Sequence, residues 1–244
     1  MSFDAIMGIV WQLLAVAVLV FLNGFFVAAE FALVKIRDTQ LDPLLAKGSW
    51  RARMVRRVAD VLGALLGLTL LALLLPLLAP GIYLESGFPI IFRQMRIGQG
   101  GRLFTIFKFR SMRVGAESDG APRWAELRDP RVTRVGRFLR RTRLDEFPQF
   151  WNVLRGEMAL VGPRPERPEF VAELEQKIPL YRLRLRVKPG LTGWAQINFG
   201  YGASVEDSEK KLQYDLYYIK QRGPLLDLVI LFRTIGVMFG FRGR

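Results

Sequence analysis

Two long apolar blocks constrain this chain more than any other feature. The first runs from about Ile6 to Val34, and only Asn23 and Glu30 place a strongly polar side chain in it. The second runs from Val58 to Leu84. Each is long enough to cross a bilayer, which takes roughly 20 apolar residues. The first block is too long for a signal peptide, has Asp4 rather than a basic segment ahead of it, and lacks a clear cleavage site. Lys35 and Arg37 follow it, so the positive-inside rule sets its C-terminal end in the cytoplasm.

The second block has basic residues on both flanks. Arg51, Arg53, Arg56 and Arg57 precede it, and Arg93, Arg96 and Arg102 follow it. A simple span carries its basic excess on one side. Pro76 and Pro80 interrupt the block, and proline removes a helical hydrogen bond. A helix that enters the cytoplasmic leaflet, bends at Pro76 and returns satisfies both facts. An ordinary kinked span is the open alternative.

From about Ile90 the chain reads as a helix-rich α/β region. Phe88–Phe92 and Leu103–Phe109 are expected as short strands around the Gly98–Gly101 turn. Segment 131–143 alternates arginines with Val132, Val135, Phe138 and Leu139 at helical spacing, a pattern suited to a membrane surface. Further helices are expected over 148–155, with Pro148 in the first turn, and over 166–186, 205–221 and 225–239. The domain reading is therefore 1–49 as an N-terminal transmembrane segment, 50–92 as a re-entrant helix-turn-helix, and 93–244 as a cytoplasmic-face catalytic domain.

Charge narrows the chemistry. Against 36 Lys and Arg stand 22 Asp and Glu, a net charge of +14, which points to anionic partners. Nucleic acid, anionic lipid and phosphorylated substrates all qualify. There is no His and no Cys, which removes His-based triads, thiol nucleophiles and thiolate metal sites. Carboxylates, Lys, Arg, hydroxyls and oxygen-ligated cations remain.

Three clusters carry such groups. Asp145-Glu146 follows the arginine-rich segment, whose charge is expected to keep both carboxylates ionised. An ionised Asp can attack phosphorus, and a neighbouring Glu can hold Mg²⁺ shared with substrate phosphates. Acids at a helix start also serve simply to complement its dipole. In Gly162-Pro163-Arg164-Pro165, two prolines stiffen the backbone that presents Arg164, which fits either a phosphate contact or a rigid loop with a solvated arginine. Val187–Asn198 mixes Gly turns with Lys188, Thr192 and Gln196, which fits either a phosphate or sugar contact or a structural turn. Lys108 and Arg110 form a further basic edge.

Taken together, Phe107–Met112, Arg137–Glu146, Asn152–Gly156, Gly162–Pro165, Lys188–Asn198 and Tyr214–Tyr218 resemble the bacterial sugar transferases, the monotopic phosphoglycosyl transferases. The resemblance implies transfer of a sugar phosphate from a UDP-sugar to polyprenyl phosphate at the cytoplasmic face of the bacterial inner membrane, in exopolysaccharide or O-antigen assembly. It implies Asp145 as nucleophile, Glu146 as the Mg²⁺-linked residue, and substrate contacts from Lys108, Arg110, Arg137, Arg140, Asn152, Arg164, Lys188 and Gln196. It also implies a re-entrant helix bent at Pro76, although Leu75 stands where the family usually has Ser. Anionic lipids are expected partners, nucleic acid is not, and a homodimer is left open. Separately, Leu22–Lys35 resembles the first membrane helix of cyclin-M-type (haemolysin-C-like) metal-transport domains, so a metal transporter or regulator fragment is the competing reading, with a membrane-anchored nucleic-acid binder behind it.

Overall fold

The computed structural model describes residues 50–116, 129–199 and 204–239. The chain divides into two units, Met1–Ala52 and Arg53–Arg244. The first apolar block, with its transmembrane and transporter-like readings, lies outside the described residues.

Helix α1 spans Trp50–Ser86 and runs through both Pro76 and Pro80, so no separate turn divides it. It is the one helix among the described residues long and apolar enough to cross a membrane, and only 11% of its most apolar stretch is buried. A core helix of a soluble protein would be mostly covered. Leu62, Leu65, Leu73, Leu77 and Leu84 instead stand exposed.

The opposite side of α1 packs on the rest of the Arg53–Arg244 unit. Gly63 and Ala64 let Leu160 approach, and Gly67 lies against the ring of Phe150, where a Cβ would collide. Further along, Leu71, Leu78 and Ile82 close over Phe109 and Leu139. Polar clamps fix both ends. The Arg57 guanidinium donates to the carbonyls of Val153 (2.7 Å) and Leu154 (2.6 Å), and Asp60 accepts from the Leu160 amide at 2.8 Å. Near the other end, Glu85 accepts from the Val135 amide at 2.7 Å.

Strands β1 (Ile91–Ile97) and β2 (Leu103–Phe109) form an antiparallel hairpin, paired from Ile97↔Leu103 out to Ile91↔Phe109. The first strand lies further along the chain than the sequence reading placed it. Its partner's seven residues must all be matched outward from the Gly98–Arg102 loop, which draws β1 up to Ile97. Gly100 and Gly101 take positive φ (69° and 82°) in that loop, a conformation that suits glycine.

Helix α2 covers Arg134–Arg141, and the Thr133 hydroxyl caps it by accepting from the Gly136 amide. A 3-10 turn, Leu144–Gln149, leads into α3 (Phe150–Arg155), so Pro148 sits in the turn rather than in the helix expected over 148–155. Strand β3 (Ala159–Val161) pairs in parallel with β4 (Gly190–Thr192). Between them lie α4 (Pro168–Lys177) and a 3-10 turn, Tyr181–Arg186, where one helix was expected over 166–186. Leu180 takes positive φ (64°) at that break. Helices α5 (Trp194–Asn198), α6 (Val205–Gln221) and α7 (Pro224–Phe239) complete the helix-rich α/β unit.

Candidate active site

The acidic pair is presented by a reversal of the chain. Helix α2 ends at Arg141 and is capped by Thr142, and Arg143 takes φ 61°, which swings the backbone into the 3-10 turn. Asp145 and Glu146 open that turn, and both are buried. Beneath them, Leu139 and Phe109 join α2 and β2 to α1. Gly136 allows this crossing, because α2 passes so close to the Ser111 carbonyl that a Cβ would overlap it.

The two carboxylates have different surroundings. Glu146 Oε1 lies 3.0 Å from Lys108 Nζ and 2.6 Å from Arg164 Nη2, and its Oε2 lies 3.5 Å from Arg164 Nη1. Burial alone would raise its pKa. Arg164, Lys108 and Arg143 outweigh burial and hold the carboxyl well below the usual carboxylate range. Asp145 makes no ion pair within 4.0 Å among the described residues. Burial, joined by the charge of Glu146, pushes its pKa up to about 6 against the more distant Lys108, Arg140 and Arg143. Both acids are therefore ionised at neutral pH, as expected, but the lowering of the pKa expected from the arginines holds for Glu146 alone; Asp145 is much closer to protonation.

The remaining sequence candidates separate. Lys108 and Arg164 meet at Glu146, and burial lowers the pKa of Lys108. Arg140 donates to the Ser111 hydroxyl at 2.8 Å and acts on Asp145 through its charge. Arg137 is exposed on α2, and Arg110 donates to the Phe88 carbonyl at 3.1 Å. Asn152 is fully buried and saturated: its amide group donates to Thr105 O and Glu157 (both 2.7 Å) and its oxygen accepts from Phe107 N (3.2 Å). It ties β2 to α3 behind the acidic pair. Lys188 stands beside Arg57 and Asp60 at the foot of α1, and the carboxylates of 145 and 146 are not among the charges acting on it. Gln196 donates to the Leu191 carbonyl at 3.2 Å, and its buried oxygen has no partner.

The glycine-rich segment has a structural task. The Gly162 amide donates to Thr192 O and the Gly190 amide to Pro163 O, each at 2.9 Å. Side chains at Gly162, Gly190 or Gly193 would overlap the facing backbone. This close approach fixes the Pro163-Arg164-Pro165 loop beside the acidic pair. Residues overlooked in the sequence are Arg143, Arg96, Arg184 and Asp215. Arg143 was legible as the last cation before the acids. The others are brought in from distant parts of the chain.

A divalent cation would find few protein ligands here. Among the described residues no three acidic side chains come together. Mg²⁺ characteristically takes one or two carboxylates and completes its shell with water and phosphate oxygens. Glu146 fits that pattern through Oε2, the oxygen less engaged by Arg164.

The site is thus a buried acid pair of unequal proton affinity, set among guanidinium groups beside a long, largely exposed apolar helix. Residues 51–241 match the family of bacterial sugar transferases, and the chain belongs to that family. It is 43% identical over 210 residues to a UDP-N-acetylgalactosamine-undecaprenyl-phosphate N-acetylgalactosaminephosphotransferase of Aeromonas hydrophila, covering 86% of this chain and 49% of the relative. It is 45% identical over 185 residues to a UDP-glucose:undecaprenyl-phosphate glucose-1-phosphate transferase of Escherichia coli, covering 75% and 40%. A putative undecaprenyl-phosphate N-acetylgalactosaminyl 1-phosphate transferase of Bacillus subtilis is 43% identical over 159 residues, covering 65% and 86%. The chain thus spans half or less of the length of the first two relatives.

Proposed function

We propose that this chain transfers a sugar phosphate from a UDP-sugar to undecaprenyl phosphate through a covalent intermediate on Asp145. The reading rests on one observation above all: in a bacterial sugar transferase, Glu146 is clamped by Lys108 and Arg164 while Asp145 beside it makes no ion pair among the described residues.

An Asp145 carboxylate oxygen attacks the phosphorus that carries the sugar. The bond from that phosphorus to the bridging oxygen breaks, and UMP leaves with the electron pair. The phosphosugar is then held as a mixed anhydride. An oxygen of undecaprenyl phosphate attacks the same phosphorus and returns the carboxylate, which leaves a sugar diphosphate lipid. The absence of a tight cation on Asp145 keeps its oxygen nucleophilic. Arg164 and Lys108, already poised at Glu146, stabilise charge on the transferring group. Mg²⁺ would be held by Glu146 together with substrate phosphates, and would supply charge neutralisation at the diphosphate.

The placement of α1 supports a re-entrant geometry on the cytoplasmic side of the inner membrane. Arg57 and Glu85 lie near opposite ends of α1, yet both bond to the same catalytic unit. A straight helix rises about 1.5 Å per residue, so a straight crossing would carry them to opposite sides of a hydrocarbon layer about 30 Å thick. A bend at Pro76 and Pro80 inside one leaflet removes the conflict. The exposed Arg134, Arg137, Phe138 and Arg141 of α2 then face anionic headgroups. Purified enzyme given UDP-glucose or UDP-N-acetylgalactosamine with Mg²⁺, without lipid acceptor, should release about one UMP per chain with the accepted sugar, and turn over only when undecaprenyl phosphate is added. Failure to release UMP from any UDP-sugar, with acceptor present, would overturn the reading.

A further inference from the structure

The loop that carries Arg164 contains two prolines and cannot hold itself together by its own amides. Each of its four carbonyls is instead held by a different donor. Pro163 O accepts from the Gly190 amide (2.9 Å), and Glu166 O accepts from the Ile97 amide (3.1 Å). Pro165 O accepts from Arg96 Nη1 (3.2 Å), and Arg164 O accepts from Arg184 Nη2 (2.9 Å). Arg184 is itself buried: its Nη1 donates to the Tyr181 hydroxyl at 2.6 Å, and the Nη2 that serves Arg164 O also lies 2.8 Å from Asp215 Oδ2 in an ion pair. Asp215 is 2% exposed on α6, far along the chain from the loop.

A charged pair this deeply buried is costly to desolvate, and a hydrophobic pair would serve packing equally well. What the pair adds is a rigid, charge-assisted hydrogen bond to one backbone oxygen, that of the residue whose side chain grips Glu146. We infer that Arg184, locked by Asp215, is a positioning residue for Arg164: it fixes the loop so that the Arg164 guanidinium stays registered on Glu146 and on the phosphate undergoing transfer. This rests on the proposed function for its catalytic consequence, but its structural part stands independently.

Two measurements separate those parts. In hydrogen exchange of the full chain, Arg184→Lys and the near-isosteric Asp215→Asn should speed exchange in the peptide covering 161–169 at least tenfold while α1 and β2 keep their protection. Unchanged exchange in 161–169 in either folded variant, or loss of protection throughout, would overturn the inference. In a kinetic double-mutant cycle read on UMP release, Arg184→Lys and Asp215→Asn should each slow release at least tenfold in the parent and have no further effect in an Arg164→Ala background. Losses that multiply in that background would mean that Arg184 acts on general stability and not through Arg164. If the parent releases no UMP, the proposed function fails while the exchange result still decides the positioning role.

Discussion

Arg164 Nη2 lies 2.6 Å from Glu146 Oε1, and that contact joins two loops that the sequence holds well apart. It accounts for the opposed behaviour of two adjacent acids. Glu146 is held ionised by its partners, and Asp145 is left to bear both burial and its neighbour's charge. Pairs of carboxylates whose pKa values are pushed apart commonly divide catalytic roles.

The first prediction concerns pH. Attack requires ionised Asp145, whose pKa is pushed up to about 6. The single-turnover rate of UMP release should therefore fall as pH drops through about 6, and be flat above about 7. A rate independent of pH between 5 and 8 would contradict the assignment.

The same shift has a stability consequence. A carboxyl whose folded pKa is raised from 3.8 to about 6 contributes stability that is fully present below 3.8 and lost as pH rises through about 6. Asp145→Asn should thus be more stable than the parent at pH 8, by up to about 3 kcal/mol on the conversion of 1.36 kcal/mol per pKa unit. The gain should shrink towards pH 4. Thermal unfolding at the two pH values checks both the sign and the trend.

Removing the clamp should work in the other direction. Glu146→Gln leaves Lys108 buried without its counter-charge, and breaking one partner of a buried pair costs about 3–5 kcal/mol. Arg164 remains 36% exposed and is relieved by water, so a loss nearer 2 kcal/mol is expected. Glu146 is low in the folded state, so its stabilisation is present above pH 4.5 and lost as pH falls through its depressed folded value. The parent and Glu146→Gln should accordingly converge in stability in strong acid.

Much of this architecture could be read from residues alone. The bilayer-length apolar run, the arginine-studded helix and the acid pair all carry local signals: length, spacing and charge. The hairpin was legible, but its register was set by pairing against Leu103–Phe109 and not by composition. The break between α4 and the Tyr181–Arg186 turn was missed because nothing local announces that Leu180 takes positive φ. Asn152 looked like a substrate ligand, since a polar side chain in a motif reads the same whether it faces a ligand or a backbone. Its three hydrogen bonds to β2 and Glu157 are tertiary facts. The Arg184–Asp215 pair was invisible for the same reason.

Membrane geometry yields a separate test. The chain has no cysteine, so single cysteines can be introduced without background. Arg53→Cys, in the first turn of α1, and Arg93→Cys, beyond its C-terminal end, should both react with a membrane-impermeant thiol reagent only when the cytoplasmic face is open. Reaction of either from the outer face would mean that α1 crosses the bilayer.

The most direct test of the central claim is the mass of the enzyme trapped with UDP-sugar and no lipid acceptor. Intact-protein and peptide mass spectrometry should show one phosphosugar per chain, on the peptide containing Asp145, absent in Asp145→Asn and discharged by undecaprenyl phosphate. An enzyme that transfers sugar phosphate while never carrying it, or an Asp145→Asn variant that turns over at the parent rate, would contradict the account.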